Sequence, residues 1–173
     1  HKKLAQNILN RHNRYGAAVG KRTRWLTPEV KPASKADMLY FVGCSSSYIH
    51  PEIAQVTAKI LGATAEFIFL GDDEWCCGNP LYTTGQLDAA KKVTEHNLEA
   101  IKNSGASNIL VSCAECYKML KVDYPKILGK STADMGYRVL HIVEYIDELI
   151  KKGVLNLKNR VDLKVTYHDP CHL

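Results

Sequence analysis

No apolar run in this sequence approaches the roughly 18 residues of a membrane-spanning helix. Its opening, His1-Lys2-Lys3-Leu4, lacks the apolar centre of a secretory signal. From these absences we expect no direct membrane insertion and a place in the cytoplasm, either free or at the cytoplasmic face of a membrane complex. No glycine-rich phosphate loop is present, so nucleotide binding has no support. Cysteine is too dilute for a secreted disulfide scaffold, with six among 173 residues. Their grouping into adjacent and near-adjacent pairs fits metal or redox use in a reducing compartment. Acid is almost missing from residues 1–35, where Glu29 stands alone against nine lysines and arginines.

What the chain does have is a spaced set of five thiols: Cys44, the pair Cys76-Cys77, and Cys113 with Cys116. Their intervals are 31, 35 and 2 residues. Thiolates are soft ligands suited to zinc and iron–sulfur clusters. A structural zinc takes four ligands, and Cys76 and Cys77 are awkward on one ion, because neighbouring side chains of an extended backbone point to opposite sides. A multi-iron cluster can seat the two sulfurs on different irons. Zinc and a Cys113–Cys116 redox dithiol remain alternatives, although the dithiol leaves three cysteines without a role.

The apolar pattern predicts an α/β fold, since 46% apolar residues suffice for one domain with a core. Unbroken runs at 38–42, 67–70, 109–111, 139–142 and 165–167 read as strands buried on both faces. Between them lie predicted helices. The first starts at Pro51 with Ile53, Val56 and Ile60 on its apolar face. The second carries Leu87, Ala90, Val93 or Thr94, Leu98 and Ile101 and stops at Ser104-Gly105. A third opens near Cys113 and breaks before Pro125, and a fourth spans 143–150. The prediction is a largely parallel sheet with helices on both faces, a Rossmann-like three-layer arrangement preceded by a basic arm. Cys44, Cys76-Cys77, Cys113 and Cys171 all follow predicted strands, so their thiols should gather at the carboxyl rim of the sheet.

Taken together, Cys44, Cys76-Cys77-Gly78 and Cys113-Ala114-Glu115-Cys116 resemble the CCG (cysteine-rich) domain of the heterodisulfide reductase family. The likeness covers about residues 38–173 and is far more specific than a lone C-x-x-C. It implies that Cys44, Cys76, Cys77, Cys113 and Cys116 bind a [4Fe–4S]-type cluster, cubane or non-cubane, with zinc as the alternative. It further implies an oxidoreductase subunit, nearest to the D-subunit-like branch, passing electrons to or from a disulfide or related substrate. A structural zinc docking module of a larger redox complex is the alternative function. Related subunits serve glycolate, lactate, glycerol-3-phosphate and succinate systems, and the motif does not choose among them. The family repeats the motif, so Cys171 is expected to be the first cysteine of a second CCG copy cut off here, and the fragment alone is expected to be inactive.

Residues 1–35 are expected to form a basic helix and extended connector, and 36–173 the cysteine-rich domain. Resemblance to longer family members implies docking of the arm to an electron-transfer partner subunit or ferredoxin-like domain. Nucleic acid is not expected, since no binding motif follows the basic stretch. Gly78 should permit a tight turn, and Trp75 should be a packing lid rather than a redox relay. Ser45, Ser46 and Ser47 are either hydrogen-bond donors to cluster sulfurs or loop caps. His168 and His172 flank Cys171 as candidate ligands or proton carriers, with chance proximity equally good. His50 and His141 read as structural or surface residues.

Overall fold

The computed structural model describes residues 2–171. Its sheet contains β1 (Met38–Phe41), β2 (Phe67–Ile68), β3 (Asn108–Val111) and β4 (Arg138–His141), all parallel, in the order β2-β1-β3-β4. Successive strand side chains point to opposite faces, and each face has its own core. Leu39, Phe41, Ile109, Val111 and Val139 pack on one side with Leu98 and Ile101 of α5 (Leu87–Ser104) and with Leu120 and Tyr124. Tyr40, Val42, Leu110 and Leu140 pack on the other with Leu61 of α3 (Pro51–Thr64) and with Tyr145 and Leu149 of α8 (Ile142–Lys151). This is the three-layer α/β arrangement expected of strands apolar on both faces.

Within residues 1–35, α1 (Lys2–Arg11) is followed by a series of turns that lie against this body. Ile8 and Trp25 are fully buried. Trp25 meets Tyr40 and Phe69 edge-on, with ring centroids 6.0 and 5.5 Å apart. The basic side chains of Lys2, Lys3, Arg11, Arg24, Lys31 and Lys35 stay exposed, but Arg22 is buried.

Three expectations need correction. Residues 165–167 are not a strand. The segment from 154 onward is irregular, with Val165 83% and Tyr167 74% exposed, and it pairs with none of the four strands, since β-propensity alone does not form a strand. The helix after Cys113 does not break before Pro125: α6 (Ala114–Lys118) passes into a π-helical turn at Met119–Asp123 and then α7 (Tyr124–Leu128). Proline sits in the first turn of α7, where its missing N–H costs least. The buried face of α3 is Ala54, Thr57, Ala58 and Leu61, while Ile53 and Val56 are exposed. Small residues let that helix lie close to the sheet. Among the described residues no helix is long and apolar enough to cross a membrane.

Candidate metal centre

From β1 the chain passes to β2 on one side and later returns to β3 on the other, so a crevice opens between β1 and β3 at their carboxyl ends. The register sets Phe41 beside Val111. Cys44, in α2 (Gly43–Tyr48), and Cys113, the residue capping α6, therefore leave adjacent strands at the same level. Cys76 and Cys77 arrive from the segment before α4 (Asn79–Thr83), where Gly78 takes φ +87°, the left-handed turn expected of it. One turn into α6, Cys116 faces back toward them. The five thiols line a single cavity of about 10 Å³, with four of them buried and Cys113 half-buried. Cys171 lies exposed on the irregular tail, so the expectation that it joins the strand ends is corrected. His168 is on the same exposed tail, and His172 lies outside the described residues.

The thiols neighbour one another in series: Cys44 beside Cys76, Cys76 beside Cys77, Cys77 beside Cys116, and Cys116 beside Cys113. Among the described residues no three histidine, cysteine or acidic side chains surround one ion position. Hydrogen bonds from Cys116 and Cys76 hold Cys77 down to about 6 against its burial. Cys113 is lowered to about 7 by Cys116, with help from the amides of Cys116 and Glu115. Cys44 and Cys116 are pushed up, each by donating to neighbouring sulfurs and by burial. Cys76 is also raised: its bond with Cys44 lowers it, but donation to Cys77 and burial prevail. The group thus favours thiolates at Cys77 and Cys113, and metal uptake requires the other three to release protons.

Main-chain N–H groups point at four of the sulfurs: Arg14 at Cys44, Gly78 at Cys76, Asn79 at Cys77, and Glu115 with Cys116 at Cys113. Amide donors aimed at clustered thiolates are what an iron–sulfur centre uses to spread its negative charge. The donor set therefore fits such a group, and on loading Cys44, Cys76, Cys77, Cys113 and Cys116 are the residues that would hold it.

Around this set lies a second group of residues with no motif to announce them. Glu74 is buried and accepts from the amides of Val42 and Gly43, both at 2.8 Å, and from Arg22 at 2.8 Å. Arg22 also donates to the carbonyl of His12, which accepts the amide of Cys76 as well. At the mouth of the cavity Arg14 pairs with Glu115 at 3.1 Å. Trp75 packs between the rings of His12 and His96, 3.9 and 3.8 Å away, and does not itself line the thiol cavity. Ser45 bonds to the Tyr15 hydroxyl at 3.0 Å. Expected as structural or surface residues, His141 caps α8 and His50 pairs with Glu52. A larger cavity of about 530 Å³, between Leu70 and α5, is lined by none of the thiols.

A family model described as a cysteine-rich domain, CCG, matches residues 38–121. Residues 38–121 of this chain belong to the CCG cysteine-rich family. The chain is 43% identical over 166 residues to the D-subunit of the dihydromethanophenazine:CoB–CoM heterodisulfide reductase of Methanosarcina acetivorans, covering 94% of this chain and 40% of that one. An uncharacterized iron–sulfur protein of Methanococcus maripaludis is 31% identical over 139 residues, 80% of this chain and 26% of its own length. The B-subunit of the fumarate reductase (CoM/CoB) of Methanothermobacter marburgensis is 34% identical over 134 residues, 78% and 25% of the two chains. The CCG chain thus spans less than half of each of these relatives. No solved structure matches it. These relatives include subunits of redox enzymes.

Proposed function

We propose that the thiolates of Cys44, Cys76, Cys77, Cys113 and Cys116 hold a [4Fe–4S]-type centre, and that the chain is the iron–sulfur part of an oxidoreductase exchanging electrons with a disulfide. The observation that carries this reading is the gathering of five thiols around one small cavity, each reached from a segment leaving the same sheet edge. A zinc ion is satisfied by four ligands in a closed tetrahedron, whereas a cluster distributes five sulfurs over several metal atoms.

When bound, the centre supplies one-electron steps. Cleaving a disulfide takes two electrons and two protons and yields two thiols. The chain's own part is to hold the sulfurs and aim amide donors at them. Access is from the side of half-buried Cys113, flanked by Arg14 and Glu115. The names of the Methanosarcina and Methanothermobacter relatives both carry the CoM/CoB thiol pair, which supports a disulfide of two small thiols as the substrate.

Electrons are proposed to come from a partner subunit or ferredoxin-like domain with an acidic surface, docking on the exposed lysines and arginines of residues 1–35. A second CCG copy is proposed as the neighbour that uses Cys171. The complex would work in the cytoplasm or at its membrane face. To test the function, the full protein is reduced without oxygen and mixed with the CoM–CoB disulfide. Reoxidation with two thiols released per disulfide is expected; a protein that stays reduced with this and other disulfides contradicts the reading.

A further inference from the structure

Arg22 and Glu74 place two full charges in the interior, their side chains only 2% and 1% exposed. Such a pair is weak evidence for stability, because the cost of stripping water from both ions offsets much of their attraction. Here every contact of the guanidinium is directed. One nitrogen meets Glu74 at 2.8 Å, and another meets the His12 carbonyl at 2.8 Å and the Cys44 sulfur at 3.9 Å. Its carbon lies 5.4 Å from the centre of the Tyr48 ring. Glu74 in turn grips the amides of Val42 and Gly43, the two residues before Cys44. Three N–H donors thus converge on the Glu74 carboxyl, from Arg22, Val42 and Gly43. The pair is polarised, with its positive end against the first sulfur of the series and its negative end turned back into the strand.

We propose that Arg22 is a positioning residue of the thiol centre: held by Glu74, its guanidinium donates to the Cys44 sulfur, fixing that ligand and raising the reduction potential of the cluster it binds. This inference rests on the cluster reading above. Reduction adds negative charge to the centre, and a buried cation with an N–H aimed at a ligand sulfur stabilises the added charge. Arginine suits the task because its planar fork spans a carboxylate, a carbonyl and a sulfur at once, which a lysine ammonium does not.

The test compares the full chain with two variants after anaerobic loading with iron and sulfide, reading bound iron, bound sulfide and midpoint potential. Arg22→Ala is avoided, since it would leave Glu74 buried and unpaired. The double variant Arg22→Gln, Glu74→Gln removes both charges together, so that neither is left buried alone, and keeps a hydrogen-bonding amide at each position. Arg22→Lys keeps the charge and loses the fork. In the double variant the reduction equilibrium is expected to become about tenfold less favourable, a fall of about 59 mV for a one-electron couple. In Arg22→Lys a smaller fall is expected. If the double variant does not fold, Arg22→Lys decides. A loaded variant whose potential matches the unsubstituted chain overturns the inference while leaving the cluster reading intact. An unsubstituted chain that binds no iron or sulfide overturns both, and it does so before any variant is measured.

Discussion

Gly43 lies so close to Cys116 that a Cβ placed on it would stand 3.0 Å from the Cys116 sulfur, and its φ of +76° belongs to the left-handed region. The end of β1 and the first turn of α6 therefore approach one another through a position where a side chain does not fit. Gly43→Ala is expected to cost about 1–2 kcal/mol from the backbone alone and also to displace Cys116. The measurements are chemical denaturation and bound iron. Unchanged stability with full iron would show that the approach is not required.

Cysteine replacements should separate the five thiols from the sixth. Cys77→Ser and Cys113→Ser remove the two groups held lowest by their hydrogen bonds, and each should abolish metal loading of this centre. Cys171→Ser, on the exposed tail, should leave loading of this centre unchanged. Metal content of the purified variants checks both.

Trp25 makes residues 1–35 part of the core that covers the sheet. It is fully buried against Tyr40 and Phe69, so Trp25→Ala should destabilise the protein by about 3–5 kcal/mol. Thermal and denaturant unfolding measure this. A loss below about 1 kcal/mol would mean that the α/β body stands without those residues.

Asp37 couples the starts of β1 and β3. Its carboxylate accepts from the side chain and amide of Ser107 and from Asn108, and these bonds lower its pKa. A carboxyl lowered on folding contributes stability above its unfolded value of about 3.9, and the contribution is lost as pH falls through the folded value. The stability gap between the parent protein and Asp37→Ala should therefore be constant from neutral pH to about 5 and narrow below about 4. Denaturation at several pH values tests it, and a gap independent of pH would contradict it.

Much of this molecule is legible in its sequence. The apolar runs Leu39–Val42 and Ile109–Val111 announce strands buried on both faces, which puts Cys44 and Cys113 close after strand ends and Cys76-Cys77 in a loop that follows another strand. What stays hidden depends on partners far apart in the chain. Arg22 lies 52 residues from Glu74, and Arg14 lies 101 from Glu115, so neither pair forms a local pattern. Glu74 closes the run Gly71-Asp72-Asp73-Glu74, which looks like a solvated acidic turn until β1 brings two amides to it. The face of α3 misleads because Ala54 and Ala58 allow close packing, whereas Ile53 and Val56 are larger and point away. Val165-Thr166-Tyr167 has the composition of a strand but lies exposed and joins neither edge of the sheet.

The most direct test of the central claim is metal analysis with visible absorption on the full protein, purified without oxygen. Iron with matching acid-labile sulfide and broad sulfur-to-iron absorption, all lost in Cys77→Ser, is the predicted result. Colourless protein carrying one zinc, or no metal, would contradict it.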